Sequence, residues 1–121
     1  MKKDSIEQFN KERLNLNRIL MEYTGKNLKR FLSIDRQIYD EGVLSRKTKE
    51  LIGLVSSFVL RCDDCIKYHL NRCFEEGVSD KELEEALSIG LIISGSITIP
   101  HLRRVFSIWK ELSKQNFDED K

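Results

Sequence analysis

The chain has 121 residues, 40% hydrophobic and 34% charged, which suits one globular domain over residues 1–121 and excludes a disordered or membrane-embedded chain. Its 21 basic and 20 acidic side chains leave a net charge of +1, which offers no electrostatic footprint for nucleic acid or an anionic membrane. The longest apolar stretch, around Leu91-Ile92-Ile93, is broken by Ser94, Gly95 and Ser96 and is too short to span a bilayer. Met1-Lys2-Lys3-Asp4 runs straight into an amphipathic pattern rather than a basic leader, so the expected location is the cytoplasm. Three cysteines, an odd number in a reducing compartment, argue against a disulfide scaffold and toward catalysis, redox chemistry or metal binding.

Apolar positions recur at three and four, with one proline and no run alternating at period two, and this predicts an all-α protein, a bundle of about six helices. The first is expected over Ser5 to Tyr23, where Ile6, Phe9, Leu16 and Leu20 fall within about 80° on the helical wheel. A second, from Asn27 to Tyr39, offers Leu28, Phe31, Leu32, Ile34 and Ile38 and stops before Gly42. Ser45 is the expected N-cap of a third, Arg46 to Leu60, whose interior is apolar nearly all round and so belongs at the centre of the core. A fourth starts between Cys62 and Asp64 and ends at Gly77. Ser79 and Glu82 have capping-box spacing at the head of a fifth, which runs through Leu83, Leu87 and Leu91 to a break at Gly95. Pro100 suits the first turn of a sixth, Pro100 to Lys114. The apolar stripes read as core or subunit contact, and Arg103-Arg104 and Asp118-Glu119-Asp120 as solvated surface.

Cys62-Asp63-Asp64-Cys65, followed by His69, concentrates the potential chemistry. At about 100° per residue, Cys65 lies about 60° from Cys62 and His69 about 40° from Cys65, so one helical stripe carries thiol, thiol and imidazole. Thiols three residues apart can close a disulfide, and a histidine on the same face can take a proton from a sulfur or return it. Unpaired N–H groups and the helix dipole at the start of the helix lower a thiol pKa, whereas Asp63 and Asp64 oppose a neighbouring thiolate. A zinc site using Cys62, Cys65, His69 and Cys73 fails on geometry, because Cys73 lies roughly 16 Å along the helix from Cys62. A three-ligand site without Cys73 stays open, but no metal is expected, and Cys73 reads as core. Glu50 alone reads as a solvated first-turn residue, yet it adjoins a buried segment where a carboxylate would need a partner such as histidine. His101, after Pro100, reads as a surface or half-buried helix residue.

The spacing Glu50-x11-Cys62-x2-Cys65-x3-His69 resembles the signature of the carboxymuconolactone decarboxylase and alkylhydroperoxidase-D family. The likeness extends through Leu44-Ser45-Arg46-Lys47-Thr48-Lys49-Glu50-Leu51-Ile52 and the apolar segment ending in Gly95, about residues 28 to 112. The resemblance implies an alkylhydroperoxidase-D-like all-helical fold, homo-oligomers that are trimers or hexamers, and a peroxidase or thiol–disulfide activity. Carried over by position, Cys65 is the peroxide-attacking thiol, Cys62 the resolving thiol, and His69 with Glu50 a proton relay through water. The redox branch is the better match, because the decarboxylase branch typically lacks the cysteine pair. One departure is Asp64, where redox members often carry histidine or an aromatic residue. No flavin, nicotinamide or haem motif is visible, so no cofactor is expected and the cysteines would be the redox centre. The implied partners are a small peroxide and an external dithiol reductant. The alternatives are a lyase acting on a small carboxylated lactone, with His69 as general acid/base, and a non-catalytic oligomeric redox-sensing scaffold.

Overall fold

The computed structural model describes the backbone of residues 5–119 and the side chains of residues 6–114. Within them the chain forms six α-helices: α1 (Ser5–Tyr23), α2 (Lys26–Ile38), α3 (Arg46–Val59), α4 (Asp63–Glu75), α5 (Asp80–Ser94) and α6 (Ile99–Glu119). A 3-10 turn, Gly95–Thr98, joins the last two without a loop, so α5 and α6 counted as one bent helix make five. The all-α expectation holds, with each predicted helix in its place and α6 running on past Lys114. The acidic run Asp118-Glu119-Asp120 lies outside the described side chains.

Local signals set the boundaries. Ser45 caps α3 by accepting from the Thr48 N–H at 3.1 Å. Ser79 and Glu82 close the predicted capping box, each side chain bonded to the other's backbone N–H at 3.1 and 2.9 Å. Gly77, at a φ of 80°, takes the left-handed turn that ends α4, a conformation open to glycine at little cost.

The core lies between α3, α4, α5 and α6, where Leu54, Phe58, Leu70, Leu83, Leu87 and Val105 are fully or almost fully buried. Cys73 is fully buried among them, as its sequence position suggests. α3 is central, packing on both α4 and α5, but it is not buried all round, since Ile52 is 51% exposed. Trp109 of α6 is buried with its indole N–H satisfied by Asp80 Oδ1 at 2.8 Å, which ties the start of α5 to α6. An 18-residue window between Asp80 and Lys114 has a mean hydropathy of 1.3, enough by length and composition alone to cross a bilayer. The run is broken at Gly95, and its Leu83, Leu87, Val105 and Trp109 pack into the core, so a membrane span is not indicated.

α1 and α2 pack differently. The first half of α1 is anchored by buried Ile6 and by reciprocal amide bonds between Asn10 and Asn71 of α4, at 2.8 and 3.3 Å. Its second half leaves Leu16 and Leu20 largely uncovered, so the predicted stripe is buried only at its start. α2 buries no side chain, and Leu28, Phe31, Ile34 and Ile38 face outward. Its end is held by Lys49 of α3, whose Nζ donates to Ile38 O at 2.8 Å and Asp40 O at 2.7 Å.

Candidate active site

A tight turn delivers the cysteines. After α3 the chain reverses at Arg61, whose φ of 60° is left-handed. Arg61 N–H donates to Phe58 O at 3.0 Å and Cys62 N–H to Ser57 O at 3.1 Å, the bond pair of a Schellman turn. Cys62 is thereby also the N-cap of α4, its Sγ accepting from the Cys65 N–H at 3.3 Å. The two sulfurs lie at disulfide distance, and the Cα atoms are 5.3 Å apart, within the span such a bond requires. Cys62 is half-buried and Cys65 exposed. In the reduced state a sulfur at the N-cap faces the unpaired N–H groups and positive dipole end of α4, which favour thiolate over thiol.

Below the cysteines, His69 and Glu50 are buried, Glu50 to 1% exposure. His69 Nδ1 meets Glu50 Oε1 at 2.8 Å, a direct contact. A carboxylate only accepts, so Nδ1 carries the hydrogen, and in the neutral imidazole Nε2 keeps its lone pair. Arg72, one turn beyond His69, brings its Nε to 3.6 Å from Glu50 Oε2 and its Nη1 to 2.6 Å from Glu75. Burial disfavours the Arg72 charge, but Glu75 and Glu50 outweigh it and raise the guanidinium pKa. A buried carboxylate without such partners would cost several kcal/mol, on the order found for isolated interior charges. Glu50 is therefore not the solvated first-turn residue that it resembles in isolation.

The imidazole lies directly on the backbone of α3. A Cβ placed on Gly53 would come within 2.7 Å of His69 Cε1 and 2.9 Å of Nε2. On its other sides His69 meets Tyr68 edge-on, with ring centroids 5.0 Å apart, and the tilted ring of Tyr39 at 5.2 Å. Tyr39 Oη is 3.5 Å from His69 Nε2. Burial, then the Glu50 charge, push the Tyr39 phenol above its usual pKa. A cleft of about 580 Å³ opens over this cluster between α1, α2 and α4, and Cys65, His69, Tyr39, Tyr68 and Asp64 all contribute to its lining.

Asp63 and Asp64 do not act alike. Asp63 turns toward α6, where His101 Nδ1 lies 2.9 Å from its Oδ1 and Arg104 Nη2 3.4 Å from its Oδ2. Burial alone would raise the Asp63 pKa, but the His101 hydrogen bond and the Arg104 charge hold it below the usual carboxylate value. The negative charge beside Cys62 is thus partly compensated, and the expected opposition to a thiolate rests mainly on Asp64. His101, expected on a surface or half-buried face, is a half-buried partner of this cluster. Cys73 stays apart, its thiol pushed up to about 12, by burial first and then by Glu50 and Glu76. Among the described residues no three His, Cys, Asp or Glu side chains converge to hold a metal ion.

The structure brings together all four residues expected from sequence, Glu50, Cys62, Cys65 and His69. It adds Arg72, Tyr39 and Gly53. Arg72 carried a usable signal, since i and i+3 spacing puts it beside His69 and within reach of the same carboxylate. Gly53 carried another, as a glycine inside an apolar helix signals close packing. Tyr39, on a different element, carried none.

These features define an all-helical protein with a CxxC pair at a helix N-terminus above a buried histidine–carboxylate pair. Residues 26–107 match the carboxymuconolactone decarboxylase family, and the chain belongs to that family. It is similar to a Thermotoga maritima protein solved by crystallography, with 49% identity and a TM-score of 0.90, over 93% of this chain and 98% of that one. That protein is described as a member of the same family, with a suggested part in the antioxidative response. A family member from Legionella pneumophila, crystallised in apo form, shares the fold at 21% identity and a TM-score of 0.84, over 92% of this chain and 99% of that one. A protein of the cox locus of Paracoccus denitrificans is 23% identical over 82 residues, covering 68% of this chain and 74% of the relative.

Proposed function

We propose that the protein is a cysteine-based peroxidase or thiol–disulfide oxidoreductase that cycles between the Cys62–Cys65 disulfide and the dithiol. The observation that carries the reading is that Cys65 and His69 line one cleft, with His69 seated on the buried Glu50. Glu50 holds Nδ1–H, so Nε2 is the base that takes the Cys65 proton. The thiolate attacks the O–O bond of a hydroperoxide, giving a sulfenic acid and an alkoxide that leaves as alcohol once protonated. Cys62 condenses with the sulfenic acid, releasing water and forming the disulfide. An external dithiol attacks the exposed Cys65 sulfur, displaces Cys62 as the thiolate favoured at the N-cap, and leaves as its own disulfide. The suggested antioxidative part of the Thermotoga relative supports this reading. The uncovered apolar residues of α1 and α2, with Ile89, Ile92, Ile93 and Ile97 beyond the core, support a homo-oligomer, and the family likeness implies a trimer or hexamer. The external dithiol would be supplied by a reducing cytoplasm.

Thiol counting before and after a small excess of peroxide, with mass mapping of the bridge, tests the first half-cycle. Repeated peroxide consumption with added dithiol tests the second. Cys65→Ser is expected to abolish peroxide-dependent oxidation, and full turnover in that variant refutes the assignment. Turnover of a carboxylated lactone that survives replacement of both cysteines would establish the lyase chemistry instead. A bridge that forms reversibly without turnover would leave a redox-sensing scaffold.

A further inference from the structure

Tyr39 is placed with more care than an exposed helix end requires. It follows α2 directly, and the carbonyls on either side of it, Ile38 O and Asp40 O, both accept from Lys49 Nζ. One ammonium on α3, next in sequence to Glu50, thus fixes the backbone that carries the phenol. The ring rests against His69, and the hydroxyl lies 3.5 Å from Nε2. Glu50 holds the hydrogen on Nδ1, so Nε2 is the acceptor and the Tyr39 hydroxyl the donor. Tyr39, His69 and Cys65 open onto the same cleft.

The geometry points to Tyr39 as the general acid that protonates the leaving oxygen of the hydroperoxide, an inference that rests on the peroxidase reading above. Attack of the Cys65 thiolate on the distal oxygen breaks the O–O bond and makes an S–O bond, and the electron pair of the broken bond leaves on the alkoxide. The proton removed from Cys65 sits on His69 Nε2. Tyr39 donates its own proton to the alkoxide, which departs as alcohol, and recovers one from Nε2. No proton is exchanged with solvent and His69 returns to its starting tautomer. The phenol is suited to this, because it is protonated at neutral pH and is more acidic than an aliphatic alcohol, so it can give its proton to the alkoxide. The carboxylates around the cleft and Tyr68 are less suited. Asp35, Glu12 and Asp64 are carboxylates, which accept rather than donate when ionised. Tyr68 meets His69 through its ring edge and has its face under the Arg13 guanidinium, 4.4 Å from the ring centroid.

The test compares Tyr39→Phe with the wild type in single-turnover oxidation of the reduced protein by two oxidants. A tertiary alkyl hydroperoxide expels a strongly basic alkoxide that needs a proton, whereas a peroxycarboxylic acid expels a carboxylate that does not. Tyr39→Phe is expected to slow the alkyl hydroperoxide by roughly 100-fold, the lower range for loss of a general acid, and the peroxy acid by less than about tenfold. Alkylation of Cys65 by iodoacetamide, whose leaving iodide takes no proton, should stay within about threefold of wild type and so show that the site remains assembled. Equal slowing with both oxidants, or none with either, overturns the role of Tyr39. A wild type that alkylates normally but reacts with neither oxidant overturns the peroxidase reading itself.

Discussion

Gly53→Ala is the most searching test of how the histidine is held. The added Cβ would stand 2.7 Å from His69 Cε1, 2.9 Å from Nε2 and 3.0 Å from Nδ1, where ordinary contact begins at 3.4 Å. The ring must therefore retreat by on the order of 0.7 Å, or α3 must give way by as much. His69 is confined by Tyr39 and Tyr68, and its retreat lengthens the 2.8 Å bond to Glu50. Overpacking of this kind costs about 1–3 kcal/mol, against which alanine recovers up to about 1 kcal/mol of helix propensity. The expected net loss is about 1–2 kcal/mol, read as a lower urea midpoint. Single-turnover oxidation by peroxide should fall by roughly 100-fold, because a misplaced base contributes little to proton transfer. Gly90→Ala serves as a comparison. Its Cβ would meet Phe58 at 3.0 Å and Val55 at 3.2 Å, within the core, so it should lower the midpoint without that loss of rate. A Gly53→Ala protein with wild-type midpoint and wild-type rate would refute the seating of His69 on α3.

Four further outcomes concern other parts of the structure. Cys73 is fully buried with a thiol pKa of about 12, so a reagent should titrate two thiols in the reduced native protein and the third only on unfolding. Cys73→Ala should leave peroxide oxidation intact while lowering stability by about 1 kcal/mol, as for a small core deletion. Asp63 has a depressed folded-state pKa, so its contribution to stability is present above the unfolded carboxylate value of about 3.9 and disappears as pH falls through the folded value. Urea midpoints of wild type and Asp63→Asn should accordingly converge on acidification through that window; a gap that stays constant would place the effect outside the His101–Arg104 cluster. Phe31→Glu, at a position 66% exposed on α2, should leave the chain folded but reduce the sedimentation mass if α2 forms a subunit contact. An unchanged mass would remove α2 from the interface.

What could be read from the sequence was what helical periodicity encodes. Cys62, Cys65 and His69 share a face because 3.6 residues make a turn, and Ser45, Ser79 and Glu82 cap helices through bonds within three residues. Glu50 is different: taken alone it suggested solvent, and the buried segment beside it, together with the four-member spacing of the family likeness, drew it into the site. Its burial depends on where α4 crosses α3, and periodicity within one helix cannot supply a crossing. Tyr39 shows the limit more sharply, since its position depends on Lys49 gripping two carbonyls at the far end of another helix. The exposed faces of α1 and α2 follow the same logic, because an amphipathic stripe states that something must cover it and not what does.

The two sulfurs end in unlike environments, and the difference orders the chemistry. Cys62 is half-buried at the N-cap, bonded through Sγ to the Cys65 N–H, while Asp63 beside it is drawn off toward His101 and Arg104. Cys65 is exposed and opens on the cleft shared with His69. In the proposed cycle, a peroxide entering the cleft would meet the sulfur that has a base available. An incoming dithiol would also reach Cys65 first, and the sulfur it expels is the one that helix N–H groups stabilise as an anion. Asp64 does not upset this division. It is exposed, so solvent screens its charge, whereas the Glu50–His69 contact is buried and acts with little screening. In the proposed cycle, attack would therefore fall on Cys65 in both half-cycles, with Cys62 first as resolving thiol and then as leaving group.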